Sequence, residues 1–513
     1  MAKKPTPQQI AERAQSAFEL HRVGRSSEAA RVLAPVIEHA VNMPKVNYLF
    51  GQILGSNGQH ERSVVFFRRA CKKLHSDPIT RTELALSLKR SGQYEESMVE
   101  IKKARAMDPW YARAAAIEAD LLQDMSRYEE ACALLDKFEK EVPADRMGIE
   151  EQAHLLSIRA RLSPRYIKNV DQLIEDIFES VNDKRVNRQM RSILASCAAN
   201  LLEAKGRYDE AFDAITRSKM ERAIPWDPDD YSRRTDAMIK AWTSDAAAKL
   251  PSAQVDGSGV IFILGMPRSG TSMLEQMLSL HPAIQPLGER NDVVHTAAAI
   301  DPPPPGKLSM PANFSRLTPE NITKLGKACL MALNATREPG KIYVTDKQPF
   351  NFVYVPLIAK LLPGAKVLHT MRDPRDTCIS YFKQWFNGKH GQANSFETLG
   401  RYYHDYRRTM AAWESLEQPT RCPAMMRVQY EQVVSNPEPV MRRVLDFLGL
   451  EFDERVLSPE KSDRIVTTAS REQVKSKLHT GSVARWKRYE KHLGPLLEHV
   501  SQYIDDPEPT DGD

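Results

Sequence analysis

Apolar residues follow two different patterns along the chain. Through residues 1–216 they recur at helical spacing. From residue 260 short continuous apolar runs are present, and the first of them is VIFIL at residues 260–264, between two glycines. A run of this kind is typical of a parallel strand that is buried on both faces. The pattern therefore predicts an all-helical region followed by an α/β region.

A repeated polar motif divides the helical region into units. Successive copies are 34 residues apart and begin at four small residues: Gly24, Gly58, Gly92 and Ser126. A further copy begins at Gly206, after a stretch that keeps helical periodicity but lacks the motif. Pro109 and Pro143 each lie 17 residues beyond the start of a copy, where proline is expected to end the second helix of the unit.

These copies resemble the tetratricopeptide repeat, a pair of antiparallel helices joined by a tight turn at a small residue. The resemblance implies that residues 1–216 form an α-solenoid whose concave face binds a peptide or partner protein. The alternative is an array that only stabilises or dimerises the chain. Residues 217–257 are expected to form a helical linker and hinge, residues 258–504 a second domain, and residues 505–513 an acidic flexible tail.

The amino-acid composition excludes few functional classes. The 72 basic and 67 acidic side chains leave a net charge of +5, which gives no reason to expect nucleic-acid binding. The first residues lack the apolar core of a signal peptide, and no later run has the length of a membrane span. The six cysteines show no paired spacing and are expected to be reduced. The protein is therefore expected to be cytoplasmic.

The segment after the first strand is similar to a phosphate-binding loop without its lysine. Residues 265–272 fit the frame G-x-x-x-x-G-K-[ST], except that Thr271 stands at the lysine position. A triphosphate would lack its main charge partner there. A single anionic linkage could still be held by backbone amides and hydroxyls at a helix N-terminus, from Ser269, Gly270, Thr271 and Ser272. The alternatives are a plain strand-to-helix turn and the loop of a magnesium-dependent nucleotide kinase.

A second strand, turn and helix occupies residues 366–383. Arg372 closes the strand, and Ser380 lies about two helical turns into the following helix. A guanidinium and a hydroxyl that converge on one oxyanion would make a second phosphate site, separate from the first.

Together the segments 267–272 and 372–380 resemble the two binding motifs of sulfotransferases that use 3'-phosphoadenosine 5'-phosphosulfate (PAPS). The resemblance implies a phosphate-loop-like α/β domain with a parallel sheet. It implies that the first loop, with Arg268, holds the 5'-phosphosulfate, and that Arg372 and Ser380 hold the 3'-phosphate. Because the donor has no triphosphate, transfer would need no metal, and the product would be 3'-phosphoadenosine 5'-phosphate (PAP).

Further segments, in order along the chain, resemble tyrosyl-protein sulfotransferases: residues 281–289, 346–350, 427–438, 444–450, 470–475 and 481–486. They imply that Glu289 is the catalytic base, and that Arg268, Lys347 and Ser470 stabilise developing charge. Tyr430 and Arg485 match the family's cofactor segments. One departure is Asn291, which stands where the family has an arginine that grips acidic peptide, with Arg290 one place away.

The sequence therefore predicts a sulfotransferase that acts on an acceptor hydroxyl. A protein tyrosine, a glycan and a small molecule all stay open as acceptors, with the repeat array binding a partner or substrate protein. A nucleotide kinase and a catalytically inactive repeat scaffold are the competing interpretations of the whole chain. The order of Arg268, Glu289, Lys347, Arg372 and Ser380 argues against the scaffold.

Overall fold

The computed structural model describes residues 4–304, 307–385, 390–416, 422–462 and 478–504. The chain divides into two compact units, Met1–Arg222 and Ala223–Asp513. The predicted acidic tail, residues 505–513, lies outside the described residues.

The first unit is built from helices throughout its described residues. They are α1 Pro7–Arg22, α2 Ser26–Leu33, α3 Pro44–Ser56, α4 His60–Cys71, α5 Pro78–Arg90, α6 Tyr94–Met107, α7 Ala112–Asp124, α8 Tyr128–Glu141, α9 Ile149–Ala160, α10 Val170–Asn182, α11 Arg188–Ala204 and α12 Tyr208–Arg222.

Short turns with one left-handed residue join the helices of each repeated pair. Gly92 between α5 and α6 has a φ of +80°, and Ser126 between α7 and α8 has a φ of +61°. Glycine adopts this conformation at little cost, which explains why four of the five motif copies begin with glycine. The two prolines have the predicted effect, because α6 and α8 end just before Pro109 and Pro143.

Polar contacts between residues about one repeat apart tie each pair to the next. The Asn57 amide donates to the carbonyl of Ser26, 3.1 Å away, and Lys89 Nζ lies 2.6 Å from an Asp120 carboxylate oxygen. Alanines and leucines on the inner faces of the helices are fully buried. Such neighbour-to-neighbour packing is typical of a solenoid.

The second unit combines helices with five strands. In chain order its elements are α13 Pro228–Thr243, α14 Asp245–Ala248, β1 Val260–Gly265, α15 Thr271–Leu278, β2 Ile284–Pro286, α16 Asp292–Ile300, α17 Pro319–Asn334, β3 Tyr343–Asp346, α18 Val355–Leu361, β4 Lys366–Met371, α19 Pro374–Lys383, α20 Phe396–Glu414, β5 Ala424–Gln429, α21 Tyr430–Ser435, α22 Pro437–Leu448 and α23 Gly494–Val500.

All pairings in the sheet are parallel, and the strand order is β2-β3-β1-β4-β5. Strand β1 lies at the centre, and all six of its residues are buried, as the apolar run at residues 260–264 predicts. Because parallel strands end at one edge, the loops after β1 to β5 meet along the carboxyl edge of the sheet. The predicted order of a helical region followed by an α/β domain with a parallel sheet is confirmed.

The segment 217–257, predicted to be a linker and hinge, is shared between the units. Residues up to Arg222 complete α12, whereas α13 packs against α20. The Ser232 hydroxyl donates to Asp405, 2.6 Å away, and the Ala253 amide donates to the carbonyl of Lys360, 2.8 Å away. Residues 223–257 thus contribute to the core of the second unit.

In the described part of the chain, no helix has both the length and the apolar character needed to cross a membrane. All six cysteines are free thiols, and five of them are buried.

Candidate active site

The carboxyl edge of the sheet collects the predicted site residues from several strands. The loop after β1 carries Arg268, the segment after β2 carries Glu289, Lys347 follows β3, Arg372 follows β4, and Tyr430 follows β5. Ligands of open parallel sheets bind at this edge.

The loop after β1 has an unusual backbone that sets its shape. Arg268 has a φ of +78°, which is uncommon for a residue with a side chain, and Gly270 has a φ of +106°. A methyl group on Gly270 would lie 2.6 Å from Cδ2 of Tyr430, so the ring and the loop backbone are in direct contact. Thr271 and Ser272 then begin α15, whose first N–H groups have no acceptor inside the helix.

The hydroxyl of Ser269, one of the predicted contacts, has a hydrogen-bond partner within the protein. Its side chain is buried, and its Oγ lies 2.7 Å from Oγ1 of Thr370. The Thr370 hydroxyl also lies 3.2 Å from the carbonyl oxygen of Leu264. The Ser269 amide donates to the carbonyl of Met266. These contacts show that Ser269 shapes the loop.

The two predicted phosphate sites form one continuous cluster. Arg268 Nε donates to the Ser380 hydroxyl at 2.9 Å, and Arg372 Nη1 donates to the carbonyl of Arg268 at 3.2 Å. The side chain of Arg268 thus reaches from the first loop to the helix after β4 and links the two predicted phosphate sites. Burial, with the positive charges of Arg372 and Arg485 nearby, lowers the pKa of the Arg268 guanidinium to about 10.

Arg372 is the most enclosed cation of the cluster. Its side chain is 7% exposed, its guanidinium lies 4.7 Å from the centre of the Tyr430 ring, and its Nη2 donates to the carbonyl of Ser482 at 2.5 Å. Among the described atoms, Arg372 Nε and Ser482 Oγ are buried without a hydrogen-bond partner. Buried polar groups are almost always satisfied, so these two atoms mark a place where a polar ligand fits.

Asp376 fixes the segment that carries Ser482 and Arg485. Its carboxylate accepts hydrogen bonds from the amides of Ala484 and Trp486, at 2.7 and 2.8 Å, and lies 3.6 Å from Arg372. Burial raises the pKa of Asp376, and the charge of Arg372 opposes that rise.

Sequence spacing alone favours a charge pair between Arg375 and Asp376, outside the site. In the structure Arg375 pairs instead with Asp373 and stacks on Trp486, with its guanidinium 3.8 Å from the ring centre. The one signal in the sequence that could have indicated the role of Asp376 is its position four residues after Arg372. Arg485, one of the predicted contacts, is half-buried and donates to the carbonyl of Gly481 at 2.8 Å.

Glu289 and Lys347 form a close ion pair after β2 and β3. Lys347 Nζ lies 2.6 Å from Glu289 Oε1, and the lysine side chain is 1% exposed whereas that of Glu289 is 48% exposed. A half-exposed carboxylate next to a fixed ammonium is accessible to an incoming hydroxyl group. Ser470, the remaining predicted catalytic residue, lies outside the described residues.

Comparison with known proteins agrees with this arrangement. Residues 260–454 match a family model described as the sulfotransferase family. An uncharacterized protein of Aquifex aeolicus is 27% identical over 436 residues, which cover 78% of this chain and 56% of that protein. Protein-tyrosine sulfotransferase A of Caenorhabditis elegans is 26% identical over 260 residues, which cover 45% of this chain and 63% of that protein.

Protein-tyrosine sulfotransferase 1 of Danio rerio is 28% identical over 204 residues, which cover 39% of this chain and 56% of that protein. The chain thus spans between 56% and 63% of the length of these three curated relatives. A solved sulfotransferase domain, from the olefin synthase of Synechococcus PCC 7002, aligns with 51% of this chain and all of its own, with a TM-score of 0.36 and 19% identity.

Proposed function

We propose that the protein transfers a sulfuryl group from PAPS to an acceptor hydroxyl, and the match of residues 260–454 to the sulfotransferase family model supports this proposal. The observation that carries this proposal is the excess of positive charge from Arg268 and Arg372 at the carboxyl edge of the sheet. Asp376 offsets only one of these two enclosed charges, and a bound anion would offset the other.

The residues at this edge suit the two anionic ends of PAPS. Arg372 Nε and Ser482 Oγ, both buried and without a partner among the described atoms, would bind the 3'-phosphate together with Ser380. The amides at the start of α15 would hold the 5'-phosphosulfate. Thr271 at the lysine position fits this donor, which has no triphosphate.

The acceptor chemistry falls to Glu289 and Lys347. When bound, PAPS supplies the sulfuryl group. The Glu289 carboxylate takes the proton of the acceptor hydroxyl, which makes the oxygen nucleophilic. Lys347 Nζ, 2.6 Å from Glu289 Oε1, holds that carboxylate in place and supplies fixed positive charge. The resemblance assigns to Ser470 a hydrogen bond to the transferred group.

We propose that the acceptor is a molecule with a hydroxyl group. The names of the animal relatives favour a tyrosine in a protein. Arg290, the arginine nearest to the family's peptide-gripping position, has other contacts. Its Nε lies 2.8 Å from an Asp292 carboxylate oxygen, and its Nη2 lies 3.4 Å from the carbonyl of Ala332. An acidic peptide would therefore need other cations to bind it. Glycans and small phenols remain candidate acceptors.

A transfer assay with radiolabelled PAPS and no magnesium tests this proposal. Three acceptors are compared: a tyrosine peptide with acidic flanks, a glycan and 4-nitrophenol. We expect label transfer to at least one of them, with loss of transfer in Glu289→Ala. No transfer to any acceptor and no PAP release from PAPS would contradict the proposed reaction.

We also propose that the repeat array of the first unit binds a protein, either the acceptor or a partner. Ile79 and Trp110 are apolar residues of the array that are about half exposed. If the array binds a protein acceptor, Ile79→Asp and Trp110→Asp should raise KM for that protein and leave KM for 4-nitrophenol unchanged. An equal effect on both acceptors would contradict the proposal, and Val23→Asp, at another exposed apolar position of the unit, is the matched control.

A further inference from the structure

The turn that carries Glu289 lies between two buried carboxylates. Glu275 on α15 accepts hydrogen bonds from the Gly288 amide at 3.0 Å and from the Thr345 hydroxyl at 2.8 Å. Asp346, at the end of β3, accepts one from the Arg290 amide at 3.2 Å. The main-chain amides of the residues immediately before and after Glu289 are therefore each held by a carboxyl side chain.

Main-chain bonds align the same turn with the end of β3. The Leu287 amide donates to the carbonyl of Thr345 at 3.1 Å, and the Lys347 amide donates to the carbonyl of Gly288 at 2.9 Å. These bonds place Glu289 beside Lys347, and none of them is made by the N–H or the carbonyl oxygen of Glu289 itself. The direction of the Glu289 side chain thus depends on the main chain of the residues on either side of it.

We propose that Glu275 and Asp346 are positioning residues for catalysis: they fix the main-chain amides of Gly288 and Arg290, the two neighbours of Glu289, and so hold its carboxylate against Lys347. This inference rests on the proposed function, in which Glu289 takes the acceptor proton. A catalytic group displaced by about 1 Å can lose two decades of rate, so holding this turn has a direct catalytic consequence.

Burial of the Asp346 carboxyl group is unfavourable for the free energy of folding. It is fully buried, and burial raises its pKa to about 8, although hydrogen bonds from Asn351 and Arg290 oppose the rise. Glu275 from α15 and Asp292 from α16 face it and raise the pKa further. A buried acid without a compensating cation is unfavourable for folding alone, and such costs are typical of functional sites.

Asp346→Ala and Asp346→Asn separate the role of the hydrogen-bond acceptor from that of the ionisable carboxyl group. Asparagine keeps an oxygen that can accept from the Arg290 amide. Its Nδ2 can donate to Asn351 Oδ1, which is buried without a partner among the described atoms. Alanine has no acceptor. Asp405→Ala is the matched control, because Asp405 is also a buried carboxylate of the second unit, bonded to Ser232 on α13.

Hydrogen exchange of the 287–290 turn is the first measurement, made on the full chain without ligand. We expect the exchange rate of this turn to be at least about tenfold higher than wild type in Asp346→Ala. In Asp346→Asn and Asp405→Ala the rate should be near that of wild type. Glu275→Leu should speed exchange at Gly288, whereas Glu275→Gln, which keeps an acceptor oxygen, should not. Unchanged exchange in both Asp346→Ala and Glu275→Leu would overturn the inference.

A double-mutant cycle with Glu289 is the second measurement, with the acceptor that wild type turns over. We expect Asp346→Ala to lower kcat by about ten- to a hundredfold without weakening PAP binding. In the Glu289→Ala background the same change should have almost no further effect on kcat, because Asp346 acts through Glu289. Independent, multiplicative losses would show a structural role and overturn the inference.

The results of these two measurements also distinguish a failure of this inference from a failure of the proposed function. Wild-type protein that transfers no sulfuryl group to any acceptor would contradict the function, and exchange of the turn would then decide whether the carboxylates hold it. Transfer that depends on Glu289, combined with unchanged exchange or independent losses, would contradict the positioning role alone.

Discussion

Replacement of Arg372 by alanine tests the 3'-phosphate site in the most quantitative way. Hydrogen bonds to charged groups contribute about 1.5–3 kcal/mol each. Two such bonds from a side chain that is 7% exposed correspond to about 3–6 kcal/mol, or roughly two to four decades in Kd. We expect Arg372→Ala to weaken PAP binding by this amount, and calorimetric titration measures it directly.

Comparison with 5'-AMP removes the structural part of this effect. Arg372 also donates to the carbonyls of Arg268 and Ser482, so its loss loosens the loop as well as the phosphate site. If Arg372 binds the 3'-phosphate, the affinity for 5'-AMP should change by less than about tenfold while PAP binding falls by far more. Arg427→Ala, which breaks an ion pair with Glu414 away from the site, is the matched control. Equal losses for both nucleotides, or an unchanged Kd for PAP, would refute the reasoning.

The remaining predictions concern catalysis, loop shape and pH. Glu289→Ala should leave the Kd of PAP near wild type and lower kcat by about two to four decades, as expected for a lost general base; unchanged turnover would remove Glu289 from that role. Gly270→Ala should lower both thermal stability and PAP affinity, because the new methyl group would lie 2.6 Å from the Tyr430 ring at a φ of +106°; unaltered melting and binding would contradict the loop geometry. Burial raises the pKa of Asp346 to about 8. The folded state therefore keeps a proton that the unfolded chain loses above about pH 4. The contribution of this group to stability thus falls as the pH rises from about 4 to 8. Asp346→Asn cannot ionise, so the melting temperature of the variant should rise relative to wild type between pH 5 and pH 8, and a constant difference would contradict the raised pKa.

Much of the fold could be predicted from the sequence because its signals are local and repeated. The 34-residue period and the small turn residues place the helix pairs, and the apolar run at residues 260–264 places the central strand. Residues 223–257 could not be assigned in this way. Helix α13 has an ordinary amphipathic pattern, and its packing on α20 depends on contacts such as Ser232 with Asp405, 173 residues apart.

The sequence predicts which residues form the site better than it predicts the contacts between them. Motif matches name Arg268, Arg372, Glu289 and Lys347, and the structure brings the first two into one cluster and the last two into one ion pair. Spacing along the chain carries no information on the bond from Arg268 to Ser380, 112 residues away, which links the two phosphate motifs.

Buried carboxylates were missed for the same reason. Asp376, Glu275 and Asp346 act on main-chain amides of distant segments, and an acidic residue looks the same in sequence whether it holds a loop or faces solvent. Only the tertiary structure distinguishes these cases.

The central claim, that this domain binds a 3'-phosphorylated nucleotide donor without a metal, is tested most directly by calorimetric titration of the full chain. PAP is titrated without magnesium, and ATP is titrated with magnesium in parallel. We predict tight binding of PAP and no binding of ATP. Binding of magnesium–ATP with no response to PAP would contradict the assignment and favour a nucleotide kinase.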